Sequence, residues 1–372
     1  MKRMAVAARL LCCLAPSAAH AAISAPADVP IDGGPLGPME INVGVDGLGF
    51  ATTNTPQGDK IDGVQLDTAL INASTTTGLI RGDVEVGQYT GLILGYEPGG
   101  ATPGGAGYSA FSPLFAGYVS IVPSSHIKFS AGQFGTPEGF ESGQDWNNYS
   151  IYHSMIAYVE PGQSRGVNSV FSYGPVSGVV QFDDGYYSRR FNYLQWLVTY
   201  TFNPALNVTL NGGSHTSVTG PDVKGIGNLL YNNSSLYGGW VTYSVGTFTV
   251  TPEVQYVYTN PIRLYAPQVA ITKPASNFTS AIFADYGFAG SPYSLGGFVE
   301  YASETSAHKD HGAGDFFGYG PKTSLWGVAV TPTWQYKQLF ARTDLAFSHV
   351  NATNGDGVLA QFDAVLEVGL LY

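Results

Sequence analysis

The sequence predicts an all-β protein: a closed antiparallel transmembrane β-barrel of about 16 strands, with about 14 as the alternative. Three observations predict it. An export signal opens the chain, and apolar and polar residues alternate in one segment after another. Past the signal, no stretch stays apolar for the ~20 residues that a spanning helix needs.

The signal comes first. Lys2 and Arg3 precede an apolar run, LLCCLAPSAA, which Arg9 borders, and Ala19-His20-Ala21 follows as a small-x-small cleavage pattern. Residues 1–21 read as a secretory signal peptide cut after Ala21. A membrane anchor is disfavoured, because the run is about half the length of a spanning helix and Pro16 breaks it. A lipidated cysteine is disfavoured by Arg9, which sits too close. Cys12 and Cys13 leave with the signal, so the exported chain has no disulfide framework.

Charge narrows the partners. The exported chain keeps 13 of the 16 basic residues and all 27 acidic ones, a net −14. That excludes nucleic acid as a partner. Charged residues make up 12% of the chain, about half the usual share of a soluble domain. Tyr, Phe and Gly fill the space, as in barrels whose strands hide an apolar half among polar residues.

The strands follow from period-2 alternation. In TFTVTPEVQYVY, Val250, Val254, Tyr256 and Tyr258 oppose Thr249, Thr251, Glu253 and Gln255. In LWGVAVTPTWQY, Trp326, Val328, Val330, Trp334 and Tyr336 oppose Thr331, Thr333 and Gln335. The same reading places strands at 40–53, 62–73, 79–91, 112–123, 126–135, 165–174, 176–186 and 191–202. The remaining eight are at 205–215, 235–245, 247–258, 279–288, 293–304, 325–336, 338–348 and 360–372. A soluble sandwich would alternate too, but its polar face would carry Lys and Glu rather than Thr, Gln and Asn. Aromatics also sit at the ends of the apolar stripes, where membrane interfaces favour them. Short turns such as YGPVSG and SVGTF alternate with long Gly-rich segments, the outer-membrane arrangement of periplasmic turns and external loops. Residues 22–38 read as a Pro/Gly-rich lead-in, and 39–372 as one undivided barrel.

The C-terminal strand places Phe362, Ala364, Leu366, Val368, Leu370 and Tyr372 towards lipid, and Asp363, Glu367 and Gly369 inward. A barrel must pair its last strand with its first, since lipid cannot satisfy an open edge. Outer-membrane barrels end in this way, which implies that Phe362, Leu366, Val368, Leu370 and Tyr372 are the assembly signal read by the barrel-insertion machinery.

One stretch, His126 to Gly174, is the most distinctive. Gly132, Phe134, Thr136, Pro137, Gly139 and Glu141, then Asn148, Tyr149, Ser150, Pro161, Gly166 and Val167, carry a pattern. It resembles the putative β-barrel porin-2, OmpL-like family over about 50 residues. The resemblance implies a porin-like barrel and a channel, without naming a solute or an oligomeric state; a homo-oligomer stays open.

Within that stretch, residues 135–164 form the longest non-alternating segment. Its Phe140, Trp146, Tyr149, Tyr152, Met155, Ile156 and Tyr158 are too apolar for disorder. The segment is expected to fold into the lumen, with a helical part around Asn147–Ala157; an external loop is the alternative. Glu138, Glu141, Asp145, Glu160 and Arg165 are the candidate pore constriction, where both signs of charge would meet a solute.

The strand registers also assign lumen charges. The inward acids are Glu40, Asp46, Asp67, Asp83, Glu85, Asp183, Glu253, Asp285, Glu300, Asp344, Asp363 and Glu367, against Arg81, Lys128 and Arg342. The acidic excess predicts a weakly cation-selective pore. No catalytic constellation stands out, and no cofactor is expected. His308 and His311 with Asp310 could hold a metal, but one-sided spacing favours a solvated loop. The function read from the sequence is an outer-membrane channel for small hydrophilic solutes. A solute-specific uptake channel and a non-conducting adhesin or envelope barrel are the alternatives.

Overall fold

A computed structural model describes residues 23–24, 28–53, 62–96, 114–186, 188–220, 230–262, 271, 273–305, 315–352 and 358–372. The signal segment 1–21 and the His308–His311 pair lie outside the described residues. Among the described residues no helix is long and apolar enough to cross a membrane.

The strands are β1 (Val29–Asp32), β2 (Pro38–Thr52), β3 (Asp62–Thr75), β4 (Ile80–Gln88), β5 (Leu114–Ser124) and β6 (Ile127–Gly135). They continue as β7 (Gln163–Tyr173), β8 (Val176–Asp183), β9 (Tyr193–Asn203), β10 (Leu206–His215), β11 (Ser234–Val245) and β12 (Phe248–Thr259). The last are β13 (Ala275–Gly287), β14 (Tyr293–Thr305), β15 (Ser324–Tyr336), β16 (Leu339–Asn351) and β17 (Val358–Leu371). Each of β2–β17 pairs antiparallel with its neighbour in sequence, and β17 returns to β2 from Asp363↔Thr52 to Leu371↔Gly44. The ring is a closed 16-stranded antiparallel barrel, as the alternation predicts.

β1 stands outside that ring, inside the stretch read as a lead-in. It pairs with β2 from Val29↔Ile41 to Asp32↔Pro38. The reason is an edge. β17 reaches β2 as far as Gly44 and Tyr372 extends the pairing to Val43, so the first residues of β2 have no partner on that side. β1 supplies one and leaves no open ladder there. A 3₁₀ turn, Gly34–Leu36, makes the connection.

Burial follows the alternation. In β12 the inward Thr249, Thr251, Glu253 and Gln255 are buried, and the outward Val254 and Tyr256 are exposed. Exposed aromatics form two outer bands. Tyr200, Phe202, Tyr243, Tyr286 and Tyr336 lie by the short turns, and Tyr237, Tyr256, Tyr301 and Trp326 by the long loops. Phe362, Leu366, Val368, Leu370 and Tyr372 are likewise exposed on the outside.

Candidate functional site

A 16-stranded ring is too wide for wall side chains alone to fill. Here chain segments enter it. Residues 136–162, between β6 and β7, run inside the cylinder and touch inward side chains of strands on opposite sides of the ring. Phe140 N donates to Glu253 Oε1 at 3.1 Å, and Gln144 Nε2 donates to Glu85 Oε1 at 2.7 Å. Asp344 Oδ2 accepts from Ser150 Oγ (2.7 Å) and from the backbone of Ile151 and Tyr152 (both 2.9 Å). Met155 N donates to Glu300 Oε2 at 2.7 Å. Wall carboxylates thus accept backbone N–H groups that the segment's irregular path leaves without partners.

This explains a difference from expectation. The helical part expected around Asn147–Ala157 is a 3₁₀ turn, Asp145–Asn147, and a four-residue helix, α1 (Met155–Tyr158). Between them, backbone N–H groups go to Asp344, Glu141 and the carbonyl of Leu92 rather than to i−4 carbonyls.

The apolar residues of the segment form a column along the wall. Tyr149, Ile151, Tyr152 and Ile156 pack in the middle on Ala281, Phe283, Phe298, Ala329, Ala346 and Val365. Met155 and Val159 pack nearer the long loops with Phe316 and Phe317, and Trp146 nearer the short turns with Phe340 and Leu371. Glycines permit the close approach: a Cβ at Gly44 would lie 2.4 Å from the Trp146 ring, and one at Gly296 2.2 Å from the Tyr149 carbonyl oxygen.

The structure places the candidate constriction residues unequally. Glu138, Glu141, Asp145 and Glu160 lie in the segment and are buried or nearly so. Arg165 does not join them. It shares the outward parity of Val167 in β7, its side chain is 45% exposed, and it pairs with Asp184 at 3.0 Å. A charge one register position off faces the other side of a sheet. Of the wall charges, Lys128, Asp183, Glu253, Asp285, Glu300, Arg342 and Asp344 are buried on the inner face, and Arg81, Asp83 and Glu85 are half-buried there. Arg81 and Asp83 border a polar recess with Tyr118, Ser120 and Lys128.

Two insertions escaped the sequence reading. Leu92 and Leu94 are fully buried in the lumen, where Leu94 N bonds the His153 carbonyl and His153 N that of Leu92. The signal was GLILGY, an apolar run directly after a strand. At the other edge, Tyr96 stacks on Tyr158 at 4.7 Å and donates to the Phe317 carbonyl. Ile23 is also buried, against Phe340 and Leu371.

Burial sets the ionisation of the inserted acids. It pushes Glu141 up to about 7, against the opposing hydrogen bonds from Ser154. Burial, then Glu253, Glu138 and Glu141 nearby, pushes Glu160 well above the usual carboxyl range, and burial with Asp183 does the same to Glu138. His153 Nδ1 lies 3.8 Å from Glu141, but burial drives His153 down to about 4, so the two form no ion pair at neutral pH. An acid whose pKa rises on docking favours the docked segment below its ordinary value of 4.5, and that support is lost as pH rises through about 7. Docking is therefore expected to loosen progressively from about pH 4.5 to about pH 7, the interval between the undocked and docked values. Single-channel conductance should rise across that window, and less so in Glu141→Gln. A profile flat from pH 5 to pH 8.5, roughly the span of both states, would contradict this account.

Comparison with known proteins agrees with this geometry. An anion-selective porin from Comamonas acidovorans superposes with a TM-score of 0.60 at 11% identity, covering 90% of this chain and 99% of that one. OmpT of Vibrio cholerae gives 0.58 at 10% identity, over 90% and 98%. Salmonella typhi OmpF, in complex with daunomycin, gives 0.54 at 12% identity, over 93% and 100%. At these identities the likeness is one of fold. No match was found among curated proteins. The family model described as putative beta-barrel porin-2, OmpL-like, matches residues 38–370, the whole ring from the start of β2 almost to the end of β17. The chain is an outer-membrane β-barrel protein of the β-barrel porin-2, OmpL-like family.

Proposed function

We propose that the protein is a porin channel for passive passage of small hydrophilic solutes, narrowed by its own inserted segment and weakly cation-selective. The observation that carries this reading is the division of the lumen. An apolar column fills the side of β11–β17 and β2 and reaches Leu70 of β3 and Phe115 and Ala116 of β5, while the wall of β4–β6 keeps half-buried Arg81, Asp83 and Glu85 beside a polar recess. Solutes would follow that polar wall. Part of the acidic excess is not available to them, because Glu253, Glu300 and Asp344 are engaged by the segment. Asp83 and Glu85 balance Arg81 and Lys128 along that wall, and Glu40 of β2, across Ser74 of β3 from Asp83, leaves a small negative excess. In this reading the outer apolar band meets outer-membrane lipid, and the exposed apolar face of β17 is what the insertion machinery engages.

Planar-bilayer recording tests it. Stable ohmic steps are expected, with reversal potentials under a potassium chloride gradient showing a small cation preference that fades as salt screens the wall charges. A clear anion preference would sink the selectivity. The extent of lumen packing favours a second reading, a non-conducting envelope barrel; absence of steps in folded, heat-modifiable protein would select it.

A further inference from the structure

Five charged side chains meet where the inserted segment reaches the wall. Asp46 of β2, Asp67 of β3 and Asp145 of the segment bring carboxylate oxygens within 4.8 Å of one another, and all three residues are buried. Arg342 of β16 pairs with Asp145 Oδ2 at 2.7 Å and with Glu367 of β17. Glu367 is near enough to act electrostatically on Asp67 and Asp46. Four carboxylates thus gather beside one guanidinium, which pairs with two of them.

The backbone is shaped for this meeting. The β2–β3 register shifts between Val45↔Ala69 and Gly47↔Leu66, so Asp46 stands opposite both Asp67 and Thr68, and all three side chains are buried. Such bulges re-aim a side chain. Thr68 N donates to Asp46 Oδ1 at 2.9 Å. Among the described residues nothing donates to the remaining oxygens: Asp67 Oδ1 and Oδ2, Asp46 Oδ2 and Glu367 Oε1 are buried and receive no hydrogen bond. Asp67 is 0% exposed, and one of its oxygens belongs to the cluster. Buried carboxylate oxygens without a donor are rare and costly.

We propose that Asp46, Asp67 and Asp145 bind one calcium ion, which cross-links the inserted segment to the barrel wall. The donors are all oxygens, the preference of a hard cation. Calcium–oxygen bonds of about 2.3–2.6 Å put ligand oxygens at most about 4.6–5.2 Å apart, and the three oxygens here lie within 4.8 Å of one another. Asp145 Oδ1 accepts from Trp146 N and its Oδ2 from Arg342 Nη2, each at 2.7 Å, and each oxygen keeps a second lone pair for the ion. A divalent ion reduces the local charge of the four acids and Arg342 from −3 to −1. Magnesium fits less well, because it retains several waters and the three ligands are at most 2% exposed.

A proton shared between two carboxyl groups would relieve the same repulsion, and a binding titration separates the two. The refolded full chain in detergent is titrated with calcium chloride at pH 7.5 by calorimetry. One ion per chain is expected, with magnesium at least about tenfold weaker. Asp67→Asn and, independently, Asp46→Asn should each weaken calcium binding by about 100-fold or more, since even supporting residues of metal sites cost 10–100-fold. No binding to the wild-type chain would overturn the proposal in favour of a shared proton. Unchanged affinity in a folded variant would overturn the ligand assignment, and equal affinity for magnesium would overturn calcium. The readout is binding, so it stands apart from whether the barrel conducts.

Discussion

Deletion of Glu141–Tyr158 should raise single-channel conductance several-fold while the barrel still assembles. The ladder hydrogen bonds of the ring run between β2 and β17 without any contribution from this segment. The deletion takes away the residues that fill the middle of the lumen, Tyr149, Ile151, Tyr152, Met155 and Ile156. It also returns Glu253, Glu300 and Asp344 to water, since their partners Ile151, Tyr152 and Met155 leave and Phe140 loses its tether. Hydrated carboxylates on the wall draw cations into the pore. Cation preference should therefore rise together with conductance. The measurement is paired bilayer recording of conductance and reversal potential, with heat-modifiable migration as the assembly control. Unchanged conductance in an assembled variant would remove the segment from the conducting path.

Replacing Arg342 with Met should destabilise the folded barrel by about 3–5 kcal/mol, the cost of breaking a buried ion pair by removing one partner. Arg342 is 1% exposed and holds Asp145 and Glu367, and its Nη1 also donates to the Asp145 carbonyl at 3.1 Å. Without it, four buried carboxylates would face one another with no cationic side chain paired to them among the described residues. The double variant Arg342→Met with Glu367→Gln should recover part of the loss, because one of the orphaned charges is gone as well. Urea titration followed by tryptophan fluorescence reads both. A wild-type midpoint in Arg342→Met would show that the guanidinium is not what balances these acids.

The alternation made the barrel legible, because a half-buried strand writes its two faces into its own sequence. β12 and β15 are clear cases: Val254, Tyr256, Trp326 and Val330 outside, Glu253, Gln255 and Thr331 inside. Where a strand is read one position off, the faces invert. Arg165 was grouped with Glu141 by nearness in sequence, but it sits on the outward parity of β7. β1 was not legible at all, because VPID carries no alternation of note. Its pairing answers an edge that exists only once β17 has met β2.

By itself, then, the sequence determined the class, the strands, their lipid and lumen faces and the presence of a long apolar insertion. These are local properties: period, turn chemistry and composition act over a few neighbouring residues. The tertiary structure alone decided what the lumen charges do. From sequence, Glu300 and Glu253 read as pore charges and Asp344 as one that Arg342 could pair along its own strand, yet 100 to 200 residues of chain separate the three from the N–H groups they accept, at |i−j| of 193 for Asp344, 145 for Glu300 and 113 for Glu253. The same distance hides the meeting of Asp46, Asp67, Asp145, Arg342 and Glu367. A carboxylate's role depends on which donors or cations the closed ring brings within about 3 Å of it, and no local pattern encodes that.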